Sequence, residues 1–282
     1  MESPRAGRNA WKPFLLIIGF CLVVVLIILQ FYPKGRQLNG LLIDLELDPP
    51  DGTRHSELRD VLTRRLTSEV PSLGQIKLNL LYVHFCDLNK ELFDSTRVHF
   101  VVLSPQRTPW KMYRDEWLLK LESAEQILRE LILKKNIPVL GICGGHQFLA
   151  LAFGGVVDFI DPKFMESASD RYPANARSEG GVVVLQALLD DPILEGVTDQ
   201  LGKFKAVQNH YEEVKRVPEP FINLARSELS EAQLIRIPGK TVYGMAFHPE
   251  RGWDGASATG ATEGKQILAN FFRMIARDNG MN

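Results

Sequence analysis

Short apolar runs alternate with longer stretches of helical period through most of this chain. Leu41–Leu47 reads as a strand, His55–Val70 as an amphipathic helix, Ile76–His84 as a second strand and Val98–Leu103 as a third. Asp115–Lys135 is predicted to be a long helix, because Leu118, Leu121, Ile127, Leu128 and Leu131 recur at helical spacing. Pro138–Ile142 reads as the next strand and Gln147–Phe153 as the next helical run. Gly181–Leu185, Lys203–Val207, Phe221–Ala225, Gln233–Ile237 and Val242–Phe247 read as further strands, and a closing helix runs from Glu263 to about Arg277. Strand and helix in this alternation predict an α/β fold, a mostly parallel sheet between two helical layers. Right-handed crossovers then bring the strands' carboxyl ends to one edge, where open sheets of this kind bind ligands.

One segment breaks the rhythm. Pro13–Tyr32 carries no charge, and Gln30 is its only strongly polar residue. A helix of ~20 residues spans the ~30 Å core of a bilayer. Trp11 and Tyr32 stand near the two ends, as interfacial aromatics do. A cleaved signal peptide has a shorter apolar stretch and a small-residue cleavage site, and Phe31–Arg36 offers none. The segment is therefore read as an uncleaved single-pass anchor. The predicted organisation is a flank over 1–12, a transmembrane helix over 13–32, a linker over 33–39 and one α/β domain over 40–282. Arg5, Arg8 and Lys12 precede the helix, and Lys34 and Arg36 follow it. That excess points to an inside N-terminus and an extracytoplasmic domain.

Composition narrows the function. Lys+Arg is 33 and Asp+Glu is 34, for a net charge of −1, which argues against a nucleic-acid partner. Three cysteines, one of them Cys21 in the apolar run, exclude a disulfide-stapled scaffold. Cys86 is read as structural. No phosphate-binding glycine loop, paired CxxC or HExxH helix occurs, so no cofactor and no metal is expected.

The strongest chemical signal is Gly141-Ile142-Cys143-Gly144-Gly145-His146-Gln147. An apolar strand ends in Gly-x-Cys-x-Gly and a helical run follows, the thiol form of a nucleophile elbow. Flanking glycines remove Cβ clashes from a sharp turn. The helix N-terminus favours a thiolate, and the Gly144 N–H points to any oxyanion formed there. The rival reading is a buried cysteine in a glycine-rich turn. A nucleophilic cysteine needs a base and an orienting group. Among six histidines, His248 ends an apolar strand two residues before Glu250. Positions i and i+2 of an extended segment share a side, so carboxylate can meet imidazole, with Pro249 stiffening the link. His55, His84 and His99 are read as structural; His146 and His210 stay open.

Cys143 in GICGGHQ, with His248 and Glu250 in FHPE downstream, resembles the class I (triad-type) glutamine amidotransferases, a group that also includes γ-glutamyl hydrolases. The resemblance spans about Asn39 to Arg277. It implies a flavodoxin-like three-layer αβα sandwich. It implies that Cys143 attacks the side-chain amide of glutamine, that His248 shuttles protons and that Glu250 orients it. By the same resemblance Gln147, and Asn209 and His210 in Gln208–Tyr211, line the substrate site. Two departures stand out. The loop after the third strand, Leu103–Trp110, has no glycine where the family supplies its second oxyanion donor. Pro105 has no N–H, so Gln106 becomes that donor, at the backbone angle glycine normally takes and under strain. Arg107 and Trp110 would shape the pocket. Ala246 replaces the glutamine common before Phe-His-Pro-Glu. The family's ammonia passes to a synthetase site, which here would be supplied in trans by a separate synthetase chain. The alternatives are a self-sufficient γ-glutamyl peptide or amine hydrolase, and a catalytically weak binding module.

Overall fold

In the computed structural model, which describes residues 36–47, 56–70, 73, 76–95, 97–161, 177–252, 261 and 263–281, the chain opens on strand β1 (Arg36–Asp44). Helix α1 follows as three continuous pieces, Ser56–Asp60, a π turn Val61–Arg65, and Leu66–Glu69. Then come β2 (Ile76–His84), α2 (Lys90–Ser95), β3 (Phe100–Leu103), α3 (Asp115–Leu133), β4 (Val139–Ile142), α4 (Gly144–Ala152) and β5 (Val156–Phe159). The second half is mostly β: β6 (Glu179–Ala187), β7 (Lys203–His210), β8 (Glu212–Arg216), β9 (Ile222–Arg226), β10 (Leu234–Arg236) and β11 (Val242–Met245), closed by α5 (Glu263–Asp278).

Among the described residues the main sheet has nine strands, in the order β2-β1-β3-β4-β11-β10-β9-β6-β7. The α/β expectation holds at its centre, where β1 pairs with β3, β3 with β4, and β4 with β11, all parallel. β10, β9, β6 and β7 then extend it as an antiparallel flank. β5 and β8 pair separately as a two-stranded sheet that the sequence reading missed. β1 also begins inside the stretch read as linker, taking residues 36–39 into the sheet.

Burial explains the layers. β3 and β4 are buried at every position, as strands covered on both faces must be. Their residues alternate between two apolar clusters. Val102, Leu140 and Ile142 join α1 and α5 on one face; Val101, Leu103 and Val139 join α3 and α4 on the other. α3 buries Leu121, Ala124, Ile127, Leu128, Leu131 and Ile132 as one stripe. Asp115 and Glu116 in its first turn complement the helix dipole. Among the described residues no helix is long and apolar enough to cross a membrane. The expected anchor over 13–32 lies outside the described residues, as does His55.

Candidate active site

The four parallel strands end at one edge, and the residues that follow each of them meet there. Cys143 follows β4, Gln106 lies beyond β3, Glu46 beyond β1, and His248 beyond β11. This is the edge at which an α/β sheet was expected to bind a ligand.

Cys143 sits at φ 51°, ψ −103°, as the N-cap of α4. Among the described residues only Asp115 and Asn136 share its positive φ without being glycine. Held in place, such a conformation costs about 1–3 kcal/mol and is characteristic of functional turns. The flanking glycines are required by contact. A Cβ on Gly141 would lie 2.4 Å from the Gly145 carbonyl oxygen, and one on Gly145 would lie 2.4 Å from that of Leu103. Both obstacles are backbone and cannot rotate away. Gly141→Ala is accordingly expected to destabilise the protein by about 1–3 kcal/mol, read as a lower denaturant midpoint at unchanged slope.

The His248 Nδ1 atom lies 2.7 Å from Glu250 Oε1, with both side chains buried. Burial works against charge on His248, but the Glu250 carboxylate and the Cys143 sulfur outweigh it and lift its pKa to about 10. Burial likewise opposes ionisation of Glu250, yet the adjacent imidazole, backed by Arg251, holds its carboxyl below the ordinary range. His248 Nε2, the ring nitrogen that Glu250 leaves open, makes no hydrogen bond of ordinary geometry among the described residues, and the Cys143 sulfur is the group that acts on it. The His248 N–H donates to the Val207 carbonyl at 2.8 Å, and the Cys143 thiol stands 3.9 Å from the Asn209 carbonyl. β7 therefore forms one wall beside both groups. A thiol, an imidazole and a carboxylate in this sequence are the parts an activated cysteine needs.

The two expected oxyanion donors also come together. A Cβ on Gly144 would lie 2.9 Å from the Gln106 nitrogen, so the two backbones touch. Neither N–H has a protein acceptor among the described residues. One expectation is corrected: Gln106 does not adopt a positive φ. The loop turns without the glycine conformation, because side chains rather than local backbone freedom hold it.

The expected substrate residues fall into two groups. Asn209 presents its carbonyl to the thiol and leaves its side chain exposed. Gln147 is buried and engaged at both ends: Trp110 Nε1 donates to its Oε1 at 2.7 Å, and its Nε2 donates to the Glu212 carbonyl at 2.7 Å. Trp110 also stacks on Phe148. His210, read as lining the substrate site, is instead buried with both ring nitrogens taken, Nδ1 by the Glu212 carbonyl at 2.9 Å and Nε2 by Glu179 at 3.0 Å. It holds the wall that Gln147 leans on. Behind it, Gln233 donates to Glu179, and Gln208 donates to Gln233. His146 is buried beneath the elbow against Gly244, and burial drives its pKa down to about 3. His99 Nδ1 accepts the Asn39 N–H within β1, His84 Nε2 bonds the Glu46 carbonyl beyond its end, and burial pushes the Cys86 thiol up to about 11. Glu46, Tyr113, Glu179 and Glu212 were not singled out from sequence. Each acts across strands distant in the chain, which leaves no local pattern to read.

An α/β sheet with a strained cysteine elbow at its carboxyl edge, beside a buried histidine–carboxylate pair, defines the class of elbow-type thiol hydrolases. Within that class the chain matches Glutamine amidotransferase class-I over residues 69–275 and belongs to that family. It is 33% identical over 144 residues to a glutamine-hydrolyzing GMP synthase subunit of Methanosarcina acetivorans, covering 50% of this chain and 62% of that protein. With the corresponding GMP synthase subunit of Methanopyrus kandleri it shares 36% identity over 153 residues, 54% of this chain and 67% of that one. The chain thus spans about three fifths of the relatives it matches first. The fold matches the crystal structure of a putative GMP synthase subunit from Thermoplasma acidophilum, with a TM-score of 0.60 at 21% identity over 86% of this chain and 96% of that one. A glutamine amidotransferase from Thermotoga maritima matches with a TM-score of 0.58 at 20% identity, over 84% and 97%.

Proposed function

We propose that this chain hydrolyses the side-chain amide of glutamine through a Cys143–His248–Glu250 triad and hands the ammonia to a synthetase subunit in trans. The observation that carries the reading is the strained Cys143 elbow beside the buried His248–Glu250 pair. The Cys143 thiolate adds to the amide carbon, and the carbonyl electrons move onto oxygen, facing the Gly144 and Gln106 N–H groups. As the tetrahedral adduct collapses, the C–N bond breaks and His248 protonates the departing nitrogen to ammonia. A water then gives its proton to His248 and adds to the γ-glutamyl thioester. The thiolate leaves, and glutamate is formed. Glu250 holds the imidazole tautomer and balances its charge throughout. The apolar run 13–32 would tether this domain to a membrane; a cytoplasmic domain fits transfer of ammonia to an ATP-dependent synthetase, whereas the extracytoplasmic side to which the flanking charges point fits a self-sufficient hydrolase.

A second reading, a γ-glutamyl peptide or amine hydrolase, draws on Trp110. Its indole N–H donates to the Gln147 side-chain oxygen at 2.7 Å, tying the residue expected to contact the glutamyl group to an aromatic side chain of the glycine-free loop. Incubating the full-length chain with glutamine and with γ-glutamyl peptides, and following glutamate and the released amine, separates the two. Release from glutamine is the expected result. Release from the γ-glutamyl compounds alone favours the hydrolase. Protease protection of the C-terminal domain in intact cells would overturn the assigned side of the membrane.

A further inference from the structure

We propose that Glu46 is a positioning residue for the oxyanion hole, its carboxylate latching the glycine-free loop after β3 so that the Gln106 N–H stays beside that of Gly144. The inference rests on the hydrolytic reading above and concerns how the second donor is held.

Glu46 lies two residues past the end of β1 and is only 5% exposed. A carboxylate removed from water needs donors on both oxygens, and this one finds most of them in the loop. Arg107 N–H donates to Oε2 at 2.7 Å. The Thr108 hydroxyl bonds Oε1, which also accepts the Leu47 N–H at 3.0 Å. Arg107 and Thr108 directly follow Gln106, so the carboxylate fixes the peptide on the far side of the proposed donor. On the near side, Ser104 N–H donates to the Ile43 carbonyl at 3.0 Å, the last backbone rung between β1 and β3. Ser104 Oγ then accepts the Leu45 N–H at 3.0 Å. Beyond that point the two chains are stitched by side chains alone. Tyr113 adds a third tie: its hydroxyl lies against the Leu45 carbonyl and, at 2.6 Å, Gln106 Oε1. Burial and the nearby Glu46 and Asp44 carboxylates keep that phenol protonated.

The consequence is specific. A glycine-rich oxyanion loop takes its shape from backbone freedom. Here Gln106 keeps an ordinary φ, and the shape comes from a carboxylate across the strand gap. Removing the carboxylate should therefore blunt only the steps that build negative charge on oxygen. Alkylation of Cys143 by iodoacetamide is a displacement at carbon and forms no oxyanion, so it reports the thiol, His248 and Glu250 without the hole.

The test compares full-length wild type with Glu46→Ala and Glu46→Gln. With glutamine and with γ-glutamyl p-nitroanilide, Glu46→Ala should lose about 10²-fold in kcat, with KM moved less than about threefold. Its iodoacetamide alkylation rate should stay within about twofold of wild type, and Glu46→Gln, which keeps an acceptor for Arg107, should recover to within about tenfold. If Glu46→Ala does not fold, Thr108→Val removes one latch donor at constant size and is read by the same split. Unchanged kcat in the variant overturns the latch and leaves the hydrolytic reading standing. A parallel fall in kcat and alkylation overturns it too, by revealing a general role in holding the elbow. A wild type that alkylates yet releases nothing from either substrate overturns both readings together.

Discussion

Cys143→Ala is expected to release no glutamate from glutamine, a loss of at least ~10⁴-fold in kcat/KM, because no other group can form the thioester. A mass shift of one γ-glutamyl group on rapidly quenched wild type, absent from the variant, checks the same step. The backbone adds a second expectation. A side chain held at φ 51°, ψ −103° costs about 1–3 kcal/mol. Alanine keeps that strain and glycine removes it. Glycine loses about 0.5–1 kcal/mol through the freedom of its unfolded chain, and about 0.8 kcal/mol more for the buried methyl. The relief and the loss are of similar size, so Cys143→Gly should be inactive yet about as stable as Cys143→Ala, whereas at an unstrained position it would be clearly less stable. Thermal unfolding of the two variants decides it. A glycine variant melting well below the alanine variant would mean that the elbow stores no strain.

The parts of this site that were legible in the sequence are those whose partners lie within a few residues. Gly141, Cys143 and Gly145 form one turn, and each glycine is required by a contact within that turn or against the adjoining strand. His248 and Glu250 are two residues apart and meet as an extended segment predicts. β2 likewise runs over the predicted residues, since its core-facing residues alternate locally. What escaped reading depends on distance along the chain. Glu46 and Arg107 are brought together only because β1 and β3 are neighbours in the sheet. The β5–β8 ribbon is short and half exposed, so its apolar pattern is faint, yet its Glu212 carbonyl anchors Gln147. His210 sat in a segment resembling a substrate wall, but the sequence could not reveal that Glu179, from a strand paired antiparallel with its own, already holds one of its nitrogens. The expected strain at Gln106 failed for the same reason: a local argument about backbone angle was displaced by a remote carboxylate.

Glu250→Gln should lower kcat by about 10²–10⁴-fold while the chain stays folded, and the reason is electrostatic. His248 is buried, and burial alone would push its imidazole toward the neutral form; the Glu250 carboxylate is the largest influence that reverses this. An amide of the same shape keeps one hydrogen bond and removes the charge. His248 then loses its hold on a proton, and the charged imidazole proposed to activate Cys143 gives way to a neutral one. Alkylation of Cys143 at pH 7 should fall with kcat, unlike in Glu46→Ala, so the two variants separate activation of the thiol from stabilisation of the oxyanion. Stability should follow the same charges. His248 has its pKa raised from 6.5 to about 10, so its contribution is complete below pH 6.5 and is lost as pH climbs through about 10. Glu250 has its pKa lowered from 4.5, so its contribution is complete above pH 4.5 and is lost as pH falls through the depressed value. The pair therefore stabilises the wild type most fully between those limits. In Glu250→Gln the alkaline decline between pH 6.5 and 10 should flatten, because the imidazole no longer binds its proton more tightly in the folded chain than in the unfolded one. Urea unfolding of both proteins across that range would show it, and an unchanged alkaline slope would mean that Glu250 is not what holds the charge on His248.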